Sequence, residues 1–312
     1  MPTIRQRLLK WSLTRFLHRA RRSLLRDPSP ARIRRDMARF DRIMARSGLY
    51  ALSAPIAVGR CNAQWLDAGP RDQGRVILYL HGGAFVAESP RAHCAMLARI
   101  CSRAGARAFY VSYRLAPEHP FPAATDDCMA AYRHLLAERV DPARIVIAGD
   151  SAGGNLTLVT ALRLREAGLP LPAALVMMSP VLDASFSGES IRRNDGLDPL
   201  FRSSIVERLA PYYVTEAQKR HPWVSPLEAD LAGLPPSLVI VGSSEILLDD
   251  SVRFATRAGN ATLQVWHDMP HVFPAMRGLA EAEAAVAVMG GFVAQHTAPA
   301  VAGNTAPARP DG

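Results

Sequence analysis

Ser151 sits in the stretch Gly149-Asp150-Ser151-Ala152-Gly153, with a glycine two residues away on either side. A hydroxyl nucleophile on a sharp strand-to-helix turn needs such neighbours, because small residues avoid collision with the adjoining strand and helix. A helix opening at Ala152 also points free N–H groups and its positive dipole end toward the reacting centre. Alone, the pattern fits a phosphate-binding turn as well. The upstream stretch His81-Gly82-Gly83-Ala84-Phe85 favours the nucleophile. Acyl transfer through a tetrahedral oxyanion needs backbone N–H donors where negative charge develops. A glycine-rich loop after an earlier strand supplies them: Gly83 with its neighbours Gly82 or Ala84, and Ala152 from the nucleophile side.

The acid and base of such a site follow the nucleophile in the order Ser, Asp/Glu, His. Glu245 lies just past an apolar run at 238–241, and His271 lies in the loop after another at 263–267. In this reading His271 takes the Ser151 proton and returns it to the leaving alcohol. The carboxylate fixes the imidazole tautomer and offsets its charge. Asp249 and Asp250, about one helical turn beyond Glu245, compete for the acid role. His267, inside an expected strand, reads as structural.

Elements that could position these groups are visible as short apolar runs at 75–80, 107–112, 145–148, 174–178, 238–241 and 263–267. Several are continuous Val/Ile/Leu stretches, as in strands covered on both faces. Helical segments fall between many of them, near 93–104, 124–138, 152–167 and 250–259. The alternation predicts an α/β fold with a mostly parallel central sheet and helices on both faces. A polar and helical insertion at 185–222 interrupts the rhythm. The tail from Thr297 is rich in Ala, Pro and Gly and reads as disordered.

The chain has 312 residues and a net charge of +9, which is unevenly placed. Residues 1–46 hold 14 Lys+Arg against three acids, a balance of +11, and the remainder is at −2. Two amphipathic helices are expected there. One carries Ile4, Leu8, Leu9, Leu13, Phe16, Leu17, Ala20 and Leu24 on one side; the next carries Ile33, Met37, Phe40, Ile43 and Met44 and ends at Gly48. Such a basic helix can lie on an anionic membrane surface, giving weak association through residues 1–26. Packing of its apolar side as a lid is the favoured reading. Nucleic-acid binding is disfavoured, since no recognition motif accompanies the basic residues. No run reaches the ~18 apolar residues of a membrane-spanning helix, and no secretory signal is evident, so the expected location is cytoplasmic. Cys61, Cys94, Cys101 and Cys128 form no framework and read as buried, reduced thiols.

Taken together, these stretches resemble the bacterial hormone-sensitive-lipase-like esterases of the α/β-hydrolase superfamily, over about residues 75 to 275. His81-Gly82-Gly83-Ala84-Phe85 is similar to the oxyanion motif, and Tyr113-Arg114-Leu115-Ala116-Pro117-Glu118-His119-Pro120-Phe121-Pro122-Ala123 to a second signature. Gly149 to Asn155 resembles the elbow, Glu245-Ile246-Leu247-Leu248-Asp249-Asp250 the acid segment, and Met269-Pro270-His271-Val272-Phe273 the histidine loop. Ala84 replaces a third loop glycine, and Glu245 stands where aspartate is common. The resemblance implies Ser151, Glu245 and His271 as the triad, with no metal or organic cofactor. It implies a cap from residues 1–50 and about 185–222 over a catalytic domain at 51–296; Met37, Phe40 and Phe85 read equally well as pocket contacts or as simple core. Residues 113–123 are scaffolding for the oxyanion side, and Asp150 anchors the elbow. The implied reaction is serine carboxylesterase hydrolysis of small-molecule esters with short- to medium-chain acyl groups. Lactone hydrolysis and small-molecule deacetylation use the same triad, and the non-enzyme alternatives are a ligand-binding or membrane-surface protein on this fold. A homodimer is the assembly the resemblance allows.

Overall fold

A computed structural model describes residues 4–44, 49–69 and 74–297, with the main chain alone for 4–11, 40, 43 and 44. The side chains of Ile4, Leu8, Leu9, Phe40, Ile43 and Met44, like Gly48 and the tail beyond Thr297, therefore lie outside the described residues. Helices α1 (Ile4–Arg26) and α2 (Pro30–Met44) come first, followed by strands β1 (Ala51–Leu52), β2 (Ile56–Val58) and β3 (Cys61–Asp67). Then come β4 (Arg75–Leu80), α3 (Pro90–Ala104), β5 (Ala106–Ser112), α4 (Ala123–Ala137), β6 (Ile145–Asp150), α5 (Ala152–Glu166) and β7 (Ala174–Met178). An insertion with α6 (Ser190–Arg193) and α7 (Ser203–Tyr213) leads to β8 (Ser237–Gly242), α8 (Leu248–Ala258), β9 (Ala261–Trp266) and α9 (Ala280–His296).

The strands form one sheet in the order β1-β3-β5-β4-β6-β7-β8-β9, with β2 paired to β3. Pairings from β5 through β9 are parallel, and those among β1, β2, β3 and β5 are antiparallel. Strands β4, β6, β7 and β8 are buried along their whole length, which explains their unbroken apolar character. Alternate residues serve opposite faces: Leu78, Ile147 and Val239 pack with Tyr132 of α4, Leu162 of α5 and Phe254 of α8. Ile77, Val146 and Ile240 pack with Leu97 of α3 and Val286 and Met289 of α9. Each such fully buried side chain contributes about 1.5–3 kcal/mol.

Register brings the loops together. Leu80 pairs with Gly149, and Met178 pairs with both Asp150 and Ile240. Gly242 pairs with Trp266. Five neighbouring parallel strands thus end at one edge, where the segments after β4, β6, β7, β8 and β9 emerge side by side.

The antiparallel strands at 51–67 and helix α9 add to the elements read from the sequence, and two expectations need correction. The last strand ends at Trp266, so His267 is not within it; its side chain is 90 % exposed beside Asp268. Thr297 is buried and accepts a 2.9 Å bond from Arg75 Nε, so the first residue of the supposed tail is fixed. Cys61, Cys94, Cys101 and Cys128 are all buried.

Candidate active site

Ser151 lies between β6 and α5 with φ 54° and ψ −116°, a conformation that residues with a Cβ rarely occupy. Its N–H donates to the Met178 carbonyl at 2.8 Å, and its carbonyl accepts from Asn155 and Val181. The tight crossing explains Gly153: a Cβ there would fall on the Leu80 carbonyl. Asp150, also buried, accepts from Tyr79 Oη at 2.6 Å and from the Gly82 N–H at 2.9 Å, with His93 Nε2 at 3.5 Å. Burial would raise its pKa, but the His93 charge and these bonds hold it at about 2.

His271 Nε2 is 2.9 Å from Ser151 Oγ, and its Nδ1 is 2.9 Å from Glu245 Oε2. Glu245 is fully buried; its Oε1 accepts from the Gly242 N–H at 2.6 Å and from Ser179 Oγ at 2.8 Å. Burial opposes a charge on His271, yet the Glu245 hydrogen bond and carboxylate, aided by Asp198 and Asp150, hold its pKa above the ordinary value. The ring therefore has an acceptor nitrogen facing the hydroxyl and a donor nitrogen facing a carboxylate. The edge of Phe201 supports it at a centroid distance of 4.8 Å.

The rival acids are engaged elsewhere. Asp250 accepts from the Leu182 and Asp183 N–H groups, and Asp249 from Ser190 N–H and Arg193.

On the oxyanion side, Gly83 has φ 125° and Ala84 φ 54°. The position with Ala84 does require the left-handed region, and alanine occupies it. The N–H of Ala152, in the first turn of α5, has no intrahelical acceptor. The Gly82 N–H is already bonded to Asp150, which corrects the expectation that it would serve an oxyanion. The loop is braced from 113–123: Tyr113 stacks on His81 at 4.1 Å and donates to its carbonyl, and Ala116 N–H donates to Phe85. Arg34 of α2 joins both segments by bonds to the Val86 and Ala116 carbonyls and to Glu118.

Two apolar cavities meet at Ser151 and His271. The smaller, about 80 Å³, runs beneath α7 and is lined by Phe85, Asn155, Phe186 and Leu209 among others. The larger, about 170 Å³, runs under α1 and α2 and is lined by Leu17, Leu24, Ile33 and Met37.

Four contributors were missed in the sequence. Ser179 also accepts from the Val272 N–H at 3.0 Å and so links the acid to the histidine loop. Asn194 Nδ2 donates to the Ser243 and Glu245 carbonyls at 3.0 and 2.7 Å. Asp198 is buried close enough to influence His271, and burial foremost pushes its pKa to about 6. Arg34 is the fourth. Only Ser179 carried a signal, its place directly after a buried apolar run.

Residues 77–275 match the family profile described as alpha/beta hydrolase fold. The chain also aligns with an esterase from the bacterial hormone-sensitive lipase family, at 37% identity and a TM-score of 0.88, covering 96% of this chain and 100% of that one. The chain is a hormone-sensitive-lipase-like α/β-hydrolase. A mutant of the esterase E40 gives 38% identity and a TM-score of 0.88, covering 92% and 98% of the two chains. An acetyl-hydrolase of Streptomyces hygroscopicus is 40% identical over 76% of this chain and 81% of its own length. This α/β-hydrolase is accordingly a carboxylic ester hydrolase. Among its described residues, no helix is long and apolar enough to cross a membrane.

Proposed function

We propose that the chain hydrolyses small-molecule carboxylic esters through an acyl-enzyme on Ser151. The carrying observation is the chain of contacts Ser151 Oγ to His271 Nε2 to Glu245, both at 2.9 Å. Ser151 Oγ attacks the ester carbonyl as its proton passes to His271 Nε2. The oxyanion meets the N–H groups of Gly83, Ala84 and Ala152. As the C–O bond to the alcohol breaks, His271 returns the proton to that oxygen. Water, deprotonated by the same nitrogen, then attacks the acyl carbon and releases the acid and the serine. Glu245 holds Nδ1–H and stabilises the imidazolium.

The cavity of about 80 Å³ supports short- to medium-chain acyl esters, with one half of the ester in each arm. Its small size, with the acetyl-hydrolase relative, also supports removal of acetyl groups from small molecules. Leu17 and Leu24 line the larger cavity, which supports a lid role for α1 over a membrane tether.

A panel of p-nitrophenyl esters from acetate to dodecanoate, run on the wild type and Ser151→Ala, tests the proposal. A pre-steady-state burst of nitrophenol in the wild type and loss of turnover in the variant are expected. Full turnover by Ser151→Ala would overturn it.

A further inference from the structure

The loop after β7 reaches the smaller cavity through Ala184 and Phe186. Phe186 has φ 53°, a left-handed conformation that persists in a residue with a Cβ only where the surroundings impose it. Here they do. The buried carboxylate of Asp183 accepts from the N–H groups of Ser185 (2.9 Å) and Ser187 (3.2 Å) and from both serine hydroxyls. Arg253 Nη1 of α8 adds a fifth donor at 2.9 Å. Burial opposes the charge of Asp183, yet these donors hold its pKa well below the carboxylate range.

The same loop is fixed at both ends. Asp250 holds the Leu182 and Asp183 N–H groups at 2.7 and 3.1 Å, and Asp249 holds that of Ser190 at 2.8 Å. None of these carboxylates bonds to Ser151 or His271. What the pins deliver to the site is one aromatic side chain, packed beside Ile246 and Leu247 and lining the cavity.

We infer that Phe186 sets the length limit for the ester half held in the smaller cavity, and that Asp183, pinned by Arg253, positions it. The inference rests on the ester-hydrolase reading of the same site. An apolar wall discriminates by about tenfold or more per methylene, so a displaced phenyl ring shifts a chain-length profile measurably.

Two substrate series test it: p-nitrophenyl esters of increasing acyl length, and acetates of increasingly long alcohols. The readout is kcat/KM for each chain divided by that for the shortest member. Phe186→Ala is expected to raise this ratio about tenfold for chains two carbons beyond the wild-type optimum, in one series. Phe186→Trp shortens the optimum in the same series. Asp183→Asn moves the ratio toward that of Phe186→Ala, and Arg253→Gln does so if Asp183→Asn fails to fold. Wild-type turnover of p-nitrophenyl acetate checks the ester-hydrolase reading separately. Profiles of active Phe186→Ala and Phe186→Trp that superimpose on the wild type in both series would reject the role of Phe186. A wild-type profile in a folded Asp183→Asn or Arg253→Gln would reject the positioning role.

Discussion

Glu245 is longer by a methylene than the aspartate common at its position, and its surroundings take up the difference. One oxygen is held by Gly242 N–H and Ser179 Oγ, leaving the other for His271. Glu245→Gln keeps the shape but favours the wrong imidazole tautomer, so kcat is expected to fall on the order of 10⁴-fold. Asp249→Asn and Asp250→Asn are expected to cost far less in a parallel kcat measurement. The pH profile belongs at this scale too. In the proposed mechanism His271 must be neutral to accept the serine proton, and its pKa is raised above 6.5. Activity should therefore rise with pH through a midpoint above 6.5, and residual activity of Glu245→Gln should show a lower midpoint, in kcat/KM profiles. Ala84 carries a left-handed backbone at φ 54°, so Ala84→Gly is expected to add about 1 kcal/mol in denaturant unfolding. The proposed triad of Ser151, Glu245 and His271 was legible because each member follows a recognisable apolar run. The Gly82 error was not avoidable in that way: its N–H is claimed by Asp150, a residue 68 positions away.

Among the elements, α1 combines an arginine-rich outer face with an inner face that closes a cavity. Leu17 and Leu24 are buried there, and Arg21 Nη1 bonds the Asp198 carbonyl of the insertion at 2.9 Å. Deleting residues 1–28 is expected to lower kcat/KM on soluble esters by about 10²-fold, through loss of this wall, while circular dichroism shows the sheet intact. Undiminished turnover would indicate that α1 does not close the site. The central strands announced themselves as continuous apolar runs because helices cover both faces. Strand β3 did not: Asn62 and Gln64 alternate with buried Ala63 and partly buried Trp65, and its neighbours β1 and β2 are very short. Helix α9 was obscured by its Ala-rich sequence and the pair Gly290-Gly291. Gly290 is there a packing contact, where a Cβ would collide with Arg103 of α3, and not a helix terminator. Links such as Asn194 to the Glu245 carbonyl join segments 51 residues apart and leave no local trace.

At the scale of the molecule, acid stability has a structural origin in the ion behind the elbow. Asp150 has a pKa of about 2 in the fold, depressed from 3.8. It thus contributes stability that is present above pH 3.8 and lost as pH falls toward 2. A steep fall in Tm across that interval is expected, and Asp150→Asn should flatten it in thermal melts. The two cavities have a further consequence. Because arms of about 80 and 170 Å³ meet at Ser151 and each takes one half of the ester, moving a long chain from the acid to the alcohol moves it from one arm to the other. Of two constitutional isomers such as ethyl hexanoate and hexyl acetate, one then seats its long half in the wide arm while the other must force it into the narrow one. The expected behaviour is selective consumption of one isomer, read by gas chromatography of an equimolar mixture at half conversion.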